Sequence, residues 1–116
     1  ELPLREVLQE FLQDAGYTVR TAGTADEVQR EASAAGVAFD VILTDVALPG
    51  GSGVELVRAL RRRWPGLRVV YMSGSLDDQI GSAEMGKAGT YFLPKPFTRA
   101  SLLEMMKQAL ASAVPS

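Results

Sequence analysis

The fold of this chain is decided by the stretch Val41-Ile42-Leu43-Thr44-Asp45-Val46-Ala47-Leu48-Pro49-Gly50-Gly51-Ser52-Gly53. Its first part is a short apolar run, a pattern typical of a buried strand, and the run ends in Asp45 before a Pro/Gly turn. Open α/β sheets bind ligands at the carboxyl ends of their strands. The position of Asp45 therefore predicts a functional carboxylate, and the competing interpretation is a carboxylate that only caps the turn.

Two later strand patterns end in polar side chains of other chemistry. Ser73 follows the apolar run 67–72, and Lys95 follows the short run 90–93. The carboxyl ends of parallel strands meet at one edge of a sheet, so we expect an acid, a hydroxyl and an ammonium to lie together there. Taken singly, Ser73 is explained as well by a turn and Lys95 by a solvated loop. Together with Asp45 they favour a site.

Helix and strand patterns alternate along the chain. Apolar residues at helical spacing and capping residues predict helices over residues 4–15, 24–36, 52–64, 77–87 and 98–110. Gly16 is suited to end the first helix and Thr98 to cap the last one. Strands are predicted over residues 17–21, 41–45, 67–72 and 90–93. This order predicts one α/β domain whose parallel sheet is covered by helices on both faces.

The composition excludes several classes of function. With 116 residues, 47% of them hydrophobic, the chain is one domain with a real core, and its net charge of −2 gives no electrostatic case for nucleic-acid binding. The chain has no Cys and no His, which excludes disulfides, a zinc site and histidine-based acid–base catalysis. No apolar run approaches the roughly 20 residues that span a bilayer. We therefore expect a soluble, cytoplasmic domain that contacts neither nucleic acid nor a membrane.

The three polar residues suit phosphoryl chemistry. A carboxylate can act as a nucleophile toward phosphorus, so Asp45 could form an aspartyl phosphate. The added negative charge needs fixed partners, which Lys95 can supply as an ammonium and Ser73 as a hydroxyl. A magnesium ion would bridge carboxylate and phosphoryl oxygens. We expect a cis bond before Pro96 to aim Lys95 inward.

Three segments together resemble the receiver domain of two-component response regulators: LTDVALPGGSG (43–53), VYMSG (70–74) and FLPKPF (92–97). Their order and spacing extend the resemblance over essentially the whole chain. It implies a flavodoxin-like fold, a doubly wound parallel sheet with the strand order 2-1-3-4-5. It also implies a phosphoacceptor domain that takes a phosphoryl group from a histidine kinase or a phosphotransfer protein. Such a domain is not an enzyme beyond its own phosphorylation and dephosphorylation.

The resemblance assigns a role to each site residue. Asp45 would be the phosphoacceptor, Ser73 the switch hydroxyl and Lys95 the lysine that contacts the phosphoryl group. Phe92 stands at the position of a rotating aromatic switch, although packing in the core is the favoured interpretation for it. Ala47 would offer its backbone carbonyl to Mg2+, together with Asp45. The responding surface would lie near Phe92 and the helix predicted over residues 77–87.

The start of the sequence departs from the family pattern. Receiver domains begin with an apolar strand that ends in two acidic residues, whereas this sequence opens Glu1-Leu2-Pro3-Leu4-Arg5. We interpret residues 1–116 as a receiver domain that is truncated at its N-terminus and lacks the first strand and the acidic pair. We expect weaker magnesium binding than in a version extended upstream. Loss of a central strand also predicts self-association, including strand exchange, or displacement of the strand 17–21. Direct pairing of that strand with the strand 41–45 is the arrangement expected if neither occurs.

Other interpretations stay open at this point. A receiver-like module that binds a protein partner without phosphorylation is the main alternative. An enzyme that transfers or hydrolyses phosphate is disfavoured, because Ala47 stands where haloacid-dehalogenase-type phosphatases carry a second aspartate. Residues 65–78 also resemble receivers fused to hybrid histidine kinases, so a separate regulator and a part of a hybrid kinase are both possible.

Overall fold

The structure, a computed structural model, describes residues 4–22, 25–35, 39–48, 51–73 and 89–111. Its helices are α1 (Leu4–Asp14), α2 (Ala25–Ala35), α3 (Gly53–Arg63) and α4 (Arg99–Ala111). Its strands are β1 (Val41–Asp45), β2 (Ala47–Leu48), β3 (Gly51–Ser52), β4 (Arg68–Ser73) and β5 (Thr90–Pro94). The helix predicted over residues 77–87 and the cap predicted at Thr24 lie outside the described residues. None of the described helices is long and apolar enough to cross a membrane.

Three parallel strands form the main sheet, in the order β1-β4-β5. Strand β4 lies in the middle and pairs in parallel with both neighbours, so that Met72 stands opposite Asp45 on one side and Leu93 on the other. Strands β2 and β3 form a separate antiparallel pair of two residues each. The parallel sheet that the alternating sequence pattern predicts is confirmed, and the ends of β1, β4 and β5 lie at one edge.

The core lies on both faces of β4. Its residues 69–72 are each at most 5% exposed, and alternate side chains point to opposite faces. One face packs Val69 and Tyr71 against Val54 and Val57 of α3. The other face packs Val70 and Met72 against residues of α1 and α4, namely Leu8, Leu12, Leu102 and Met106. Burial of each such side chain stabilises the fold by about 1.5–3 kcal/mol, so these two layers hold the sheet in place.

The strand predicted over residues 17–21 is wrong. Residues 17–22 form neither strand nor helix. Tyr17 and Val19 are half-buried and pack against the α1/α4 side of the core, while Thr18 and Arg20 are exposed. The alternation in the sequence therefore indicates correctly which side chains face inward. A strand also needs a neighbour with which to exchange backbone hydrogen bonds, and no described residue pairs with this segment. Direct pairing of this segment with β1 is likewise not found among the described residues.

Strand β1 is less buried than the apolar run suggests. Val41, Ile42 and Leu43 are only half-buried, and Thr44 is buried. Strand β1 has a neighbour on one side only in the described sheet, which leaves part of its surface open. The prediction of a buried strand therefore holds for its end next to the acidic residue and not for its start.

Two helix ends form as the sequence predicts. Gly16 has φ 99° and ends α1, where its N–H donates to the carbonyl of Gln13 at 3.0 Å. The N–H of Tyr17 donates to the carbonyl of Leu12 at 3.0 Å, which completes a Schellman motif. At α4, the Ser101 N–H donates to the Thr98 hydroxyl at 3.0 Å, and the Thr98 N–H donates to the Ser101 hydroxyl at 2.9 Å.

Arg61 of α3 joins three elements at the edge of the sheet where β4 and β5 begin. Its Nε donates to the carbonyl of Leu67 at 3.0 Å. Its Nη2 lies 3.3 Å from the carbonyl of Gly89 and 3.3 Å from the hydroxyl of Thr90. Leu67 directly precedes β4, and Gly89 directly precedes β5. The guanidinium therefore fixes the starts of β4 and β5 relative to α3. These starts lie at the edge of the sheet opposite to Asp45.

Replacing Arg61 by methionine keeps a long side chain and removes these hydrogen bonds. We expect the free energy of unfolding to fall by about 2 kcal/mol, since hydrogen bonds from charged donors each contribute roughly 1.5–3 kcal/mol. Arg62→Met, at an exposed position of the same helix, is the control and should change stability by less than about 0.5 kcal/mol. Urea unfolding measures both variants, and equal stability of the two would contradict the role of Arg61.

Candidate functional site

A carboxylate and an ammonium meet at the edge of the sheet where β1 and β5 end. Asp45 is the last residue of β1, and Lys95 directly follows β5. The ammonium Nζ of Lys95 donates to Oδ1 of Asp45 at 2.5 Å, although the two residues are 50 positions apart in sequence. The structure thus brings together the two charged residues that the sequence analysis singles out.

The backbone at Lys95 has the conformation that the sequence predicts. The peptide bond between Lys95 and Pro96 is cis, which confirms the prediction made from the Pro-Lys-Pro run. Pro94 ends β5 and lies in register with Ser73 of β4. The Lys95 side chain then extends across the end of β4 to reach the last residue of β1. Lys95 thus lies in the loop after β5 and has a charged partner in addition to its contact with solvent.

The ion pair is accessible. The side chains of Lys95 and Asp45 are 31% and 36% exposed, respectively. At such exposure an ion pair contributes roughly 0–1 kcal/mol to stability, because both groups stay close to water. The ion pair therefore contributes little to the stability of the fold. Its exposure leaves room for a ligand to approach the carboxylate and the ammonium together.

The backbones of Ser73 and Ala47 also lie at this edge of the sheet. Ser73 is the last residue of β4 and follows Met72, the partner of Asp45 in the sheet. Ala47 begins β2 two positions after Asp45 and pairs with Ser52. The role of the Ser73 hydroxyl and that of the Ala47 carbonyl stay predictions.

Phe92 packs on the core. It lies opposite Tyr71 in the pairing of β4 with β5, and the two ring centroids are 5.7 Å apart at an interplanar angle of 31°. Tyr71 is fully buried, and Phe92 is half-buried above it. This agrees with the favoured interpretation of Phe92 as a packing residue. A rotation of its ring as a switch stays a prediction.

Two residues that lie close to Asp45 in space have structural roles that the sequence did not predict. Thr44 is buried, and its hydroxyl donates to the main-chain carbonyl of Asp45 at 3.0 Å. Gly53 begins α3, and its N–H donates to the carbonyl of Val46 at 2.7 Å. A Cβ on Gly53 would collide with the Asp45 carbonyl. Gly53 therefore allows the backbone at the start of α3 to approach the end of β1 closely. A lone hydroxyl inside an apolar strand was the available signal for Thr44.

Asp45 by itself is a poor match for magnesium. Mg2+ requires near-octahedral oxygen coordination and usually takes carboxylates together with waters. Within the described ranges, no group of three or more His, Cys, Asp or Glu side chains could hold a metal ion. The described side chains therefore do not complete a magnesium site, and Asp45 with one backbone carbonyl could supply only part of it.

Comparison with known sequences identifies the family of this chain. Residues 1–107 match the response regulator receiver domain. The chain is 33% identical over 114 residues to the DNA-binding transcriptional regulator NtrC of Azospirillum brasilense, covering 97% of this chain and 23% of that protein. It is 32% identical over 99 residues to the sensor kinase CckA of Brucella abortus (strain 2308), covering 85% of this chain and 10% of that protein. The chain thus spans less than a quarter of the length of these relatives.

Solved structures of receiver domains have the same fold. A receiver domain protein from Clostridium thermocellum superposes with a TM-score of 0.80 at 26% identity, covering 92% of this chain and 85% of that one. The receiver domain of NtrX from Brucella abortus gives 0.80 at 25% identity, covering 95% and 92%. The chemotaxis response regulator CheY4 of Vibrio cholerae gives 0.77 at 30% identity, covering 92% and 89%.

These likenesses confirm the flavodoxin-like fold predicted from the three motifs. The parallel order β1-β4-β5 agrees with the last three strands of the order 2-1-3-4-5. With a family match over residues 1–107, this chain belongs to the response regulator receiver domain family of two-component systems.

Proposed function

We propose that Asp45 accepts a phosphoryl group from the phosphohistidine of a histidine kinase or phosphotransfer protein, and that this switches a protein-interaction surface. The 2.5 Å contact between Lys95 Nζ and Asp45 Oδ1 supports the proposal most directly. An exposed pair of this kind adds little stability, so the fold does not depend on it. Phosphoryl transfer would use both groups, since it needs a nucleophilic carboxylate and a cation at one place.

The proposed transfer is a displacement at phosphorus. A carboxylate oxygen of Asp45 forms the new O–P bond as the N–P bond of the phosphohistidine breaks, and the bonding electron pair stays on the imidazole nitrogen. The product is a mixed anhydride of Asp45. With acetyl phosphate as donor, the bond from phosphorus to the acetyl oxygen breaks instead, and acetate leaves.

Lys95 has a different role before and after the transfer. Before it, the ammonium orients the carboxylate through Oδ1. Afterwards the phosphoryl group carries about −1.5 to −2 charges, more than the carboxylate that it replaces. The ammonium can follow this charge, because it is a flexible point donor with three hydrogens. We propose that the Ser73 hydroxyl donates a second hydrogen bond and that Phe92 responds to this change.

Magnesium binding is a general property of receiver domains. The response regulator TrrA of Thermotoga maritima was solved in complex with Mg2+-BeF. When bound, the metal supplies positive charge beside the phosphoryl oxygens. We propose that Asp45 and the carbonyl of Ala47 contribute to such a site in this domain, which other oxygen ligands must complete.

The domain is proposed to work as one part of a longer signalling protein. Its matches cover only 23% of a transcriptional regulator and 10% of a sensor kinase. Both arrangements would use the same acceptor chemistry and differ in the domain that reads the phosphorylated surface.

A second candidate is a receiver-like module that binds a protein partner without being phosphorylated. It is favoured by the lack of a metal-binding cluster among the described side chains. Beryllofluoride with Mg2+ separates the two candidates, because it mimics the phosphoryl group on an acceptor carboxylate. A phosphoacceptor changes its amide NMR spectrum around Asp45 on addition, whereas a phosphorylation-independent module does not.

Asp45→Asn should abolish labelling of the domain by acetyl phosphate or by a phosphorylated kinase, because the amide is not a nucleophile toward phosphorus. Asp40→Asn is the matched control, since Asp40 is exposed and precedes the opposite end of β1. Base-labile, acid-stable label is measured in both variants. Wild-type yield in Asp45→Asn would refute the assignment of the acceptor.

Lys95→Met should lower the labelling rate by about 100-fold, the usual loss when one preorganised group at a developing charge is removed. Its free energy of unfolding should stay within about 1 kcal/mol of wild type, because the ion pair is partly exposed. Lys107→Met, at an exposed position on α4, is the control and should label normally. A wild-type rate in Lys95→Met would show that the contact with Asp45 has no part in the transfer.

A further inference from the structure

We propose that Thr44 is a positioning residue for Asp45 and acts through its hydroxyl on the peptide group that follows the acceptor. This inference rests on the proposed function of Asp45. It adds a residue whose side chain points away from the reacting carboxylate, because neighbouring side chains of a strand project to opposite faces. Thr44 therefore acts on the backbone of Asp45 and not on the phosphoryl group.

The side chain of Thr44 lies in the interior of the protein. Thr44 is 6% exposed, and in the part of the chain that the structure describes only Thr44 and Tyr71 bury a side-chain hydroxyl. Valine would fill the same space and prefers strands equally well. A buried hydroxyl costs free energy unless it forms a hydrogen bond, so its partner decides what it does.

That partner is the main-chain carbonyl of Asp45, at 3.0 Å. On the other side of the same peptide group, the N–H of Val46 donates to the carbonyl of Met72 at 3.2 Å. Both polar atoms of the Asp45–Val46 peptide group are thus bound, one within β1 and one to β4. Because the peptide group is planar, this fixes the backbone rotation at Asp45 and hence the direction of its side chain.

The start of α3 makes the Thr44 hydroxyl hard to replace. A Cβ on Gly53 would lie 3.2 Å from the Thr44 hydroxyl and would collide with the Asp45 carbonyl. In Thr44→Val a methyl group takes the place of the hydroxyl, so a water molecule cannot occupy that position and donate to the carbonyl. Without the hydroxyl, the carbonyl can regain a partner only if the peptide group rotates.

Such a rotation would move the carboxylate relative to Lys95. A displacement of about 1 Å in a reacting group can cost up to 100-fold in rate, so a partial rotation should cost about tenfold. The loss should fall on the limiting rate and not on donor binding, because Thr44 does not contact the donor.

The test compares Thr44→Val, which keeps the shape without the hydroxyl, with Thr44→Ser, which keeps the hydroxyl. Acetyl phosphate is titrated against each variant. We expect the limiting labelling rate of Thr44→Val to fall about tenfold, with the half-saturating concentration within about twofold of wild type. Thr44→Ser should retain the wild-type rate within about twofold. A wild-type limiting rate in Thr44→Val would overturn the inference.

Loss of stability alone needs a separate control. Ala109 is buried near the C-terminal end of α4, and Ala109→Gly should cost about 1 kcal/mol of stability while labelling at the wild-type rate. If Ala109→Gly slows labelling as much as Thr44→Val does, the effect of Thr44 is structural and the inference is wrong.

A second pair of variants tests the role of the Thr44 hydroxyl if Thr44→Val does not fold. Thr44→Ser and Thr44→Cys lose the same methyl group, and a thiol is a much weaker donor than a hydroxyl. The chain has no other cysteine, so the thiol has no intramolecular partner for a disulfide. We expect the Cys variant to label about fivefold more slowly than the Ser variant, within the range for a slightly displaced group. Equal rates would overturn the inference.

The outcomes also separate this inference from the proposed function. Wild-type protein that is not labelled, or label that persists in Asp45→Asn, would remove the acceptor role and the positioning role together. Labelling of wild type at Asp45, with an unchanged rate in the Thr44 variants, would remove the positioning role alone.

Discussion

The pairing of β4 with β1 and β5 is the constraint on which the site depends. Asp45 and Lys95 are 50 positions apart, and both reach the same edge because their strands are in parallel register with the strand between them. A slip of one residue in either pairing would turn every side chain of that strand to the opposite face. The contact between the two charges is therefore a consequence of register, which the buried residues of β4 fix on both faces.

The energies of these parts differ in a way that separates scaffold from site. Buried side chains of β4 and the helices that cover it each stabilise the fold by about 1.5–3 kcal/mol. The Asp45–Lys95 pair, with both partners about a third exposed, contributes about 1 kcal/mol at most. The scaffold can therefore keep its fold if the pair opens, as the phosphoryl transfer that we propose for Asp45 requires. An accessible charge pair on a rigid sheet edge combines precise placement with freedom to exchange partners.

Local signals were sufficient for much of the fold and for both charged residues of the site. Caps such as Thr98 depend on a few neighbouring residues, and a strand end before a turn identifies Asp45 without knowledge of the partner strands. Features that depend on distant partners could not be predicted in this way. Residues 17–22 alternate like a strand but exchange no ladder of hydrogen bonds with a neighbouring strand among the described residues. Gly53 is required because the backbone at the end of β1 comes close to it. Thr44 resembles any β-branched residue until its hydrogen bond is known.

Chemical trapping of the modified residue tests the central claim most directly. Borohydride reduces an aspartyl phosphate to homoserine, and mass spectrometry of the digested wild-type chain then locates the change. The account predicts homoserine at position 45 after treatment with a phosphoryl donor, and at no other acidic position. Homoserine at another aspartate, with Asp45 intact, would contradict the claim that the sheet edge formed by β1, β4 and β5 is the phosphoacceptor site.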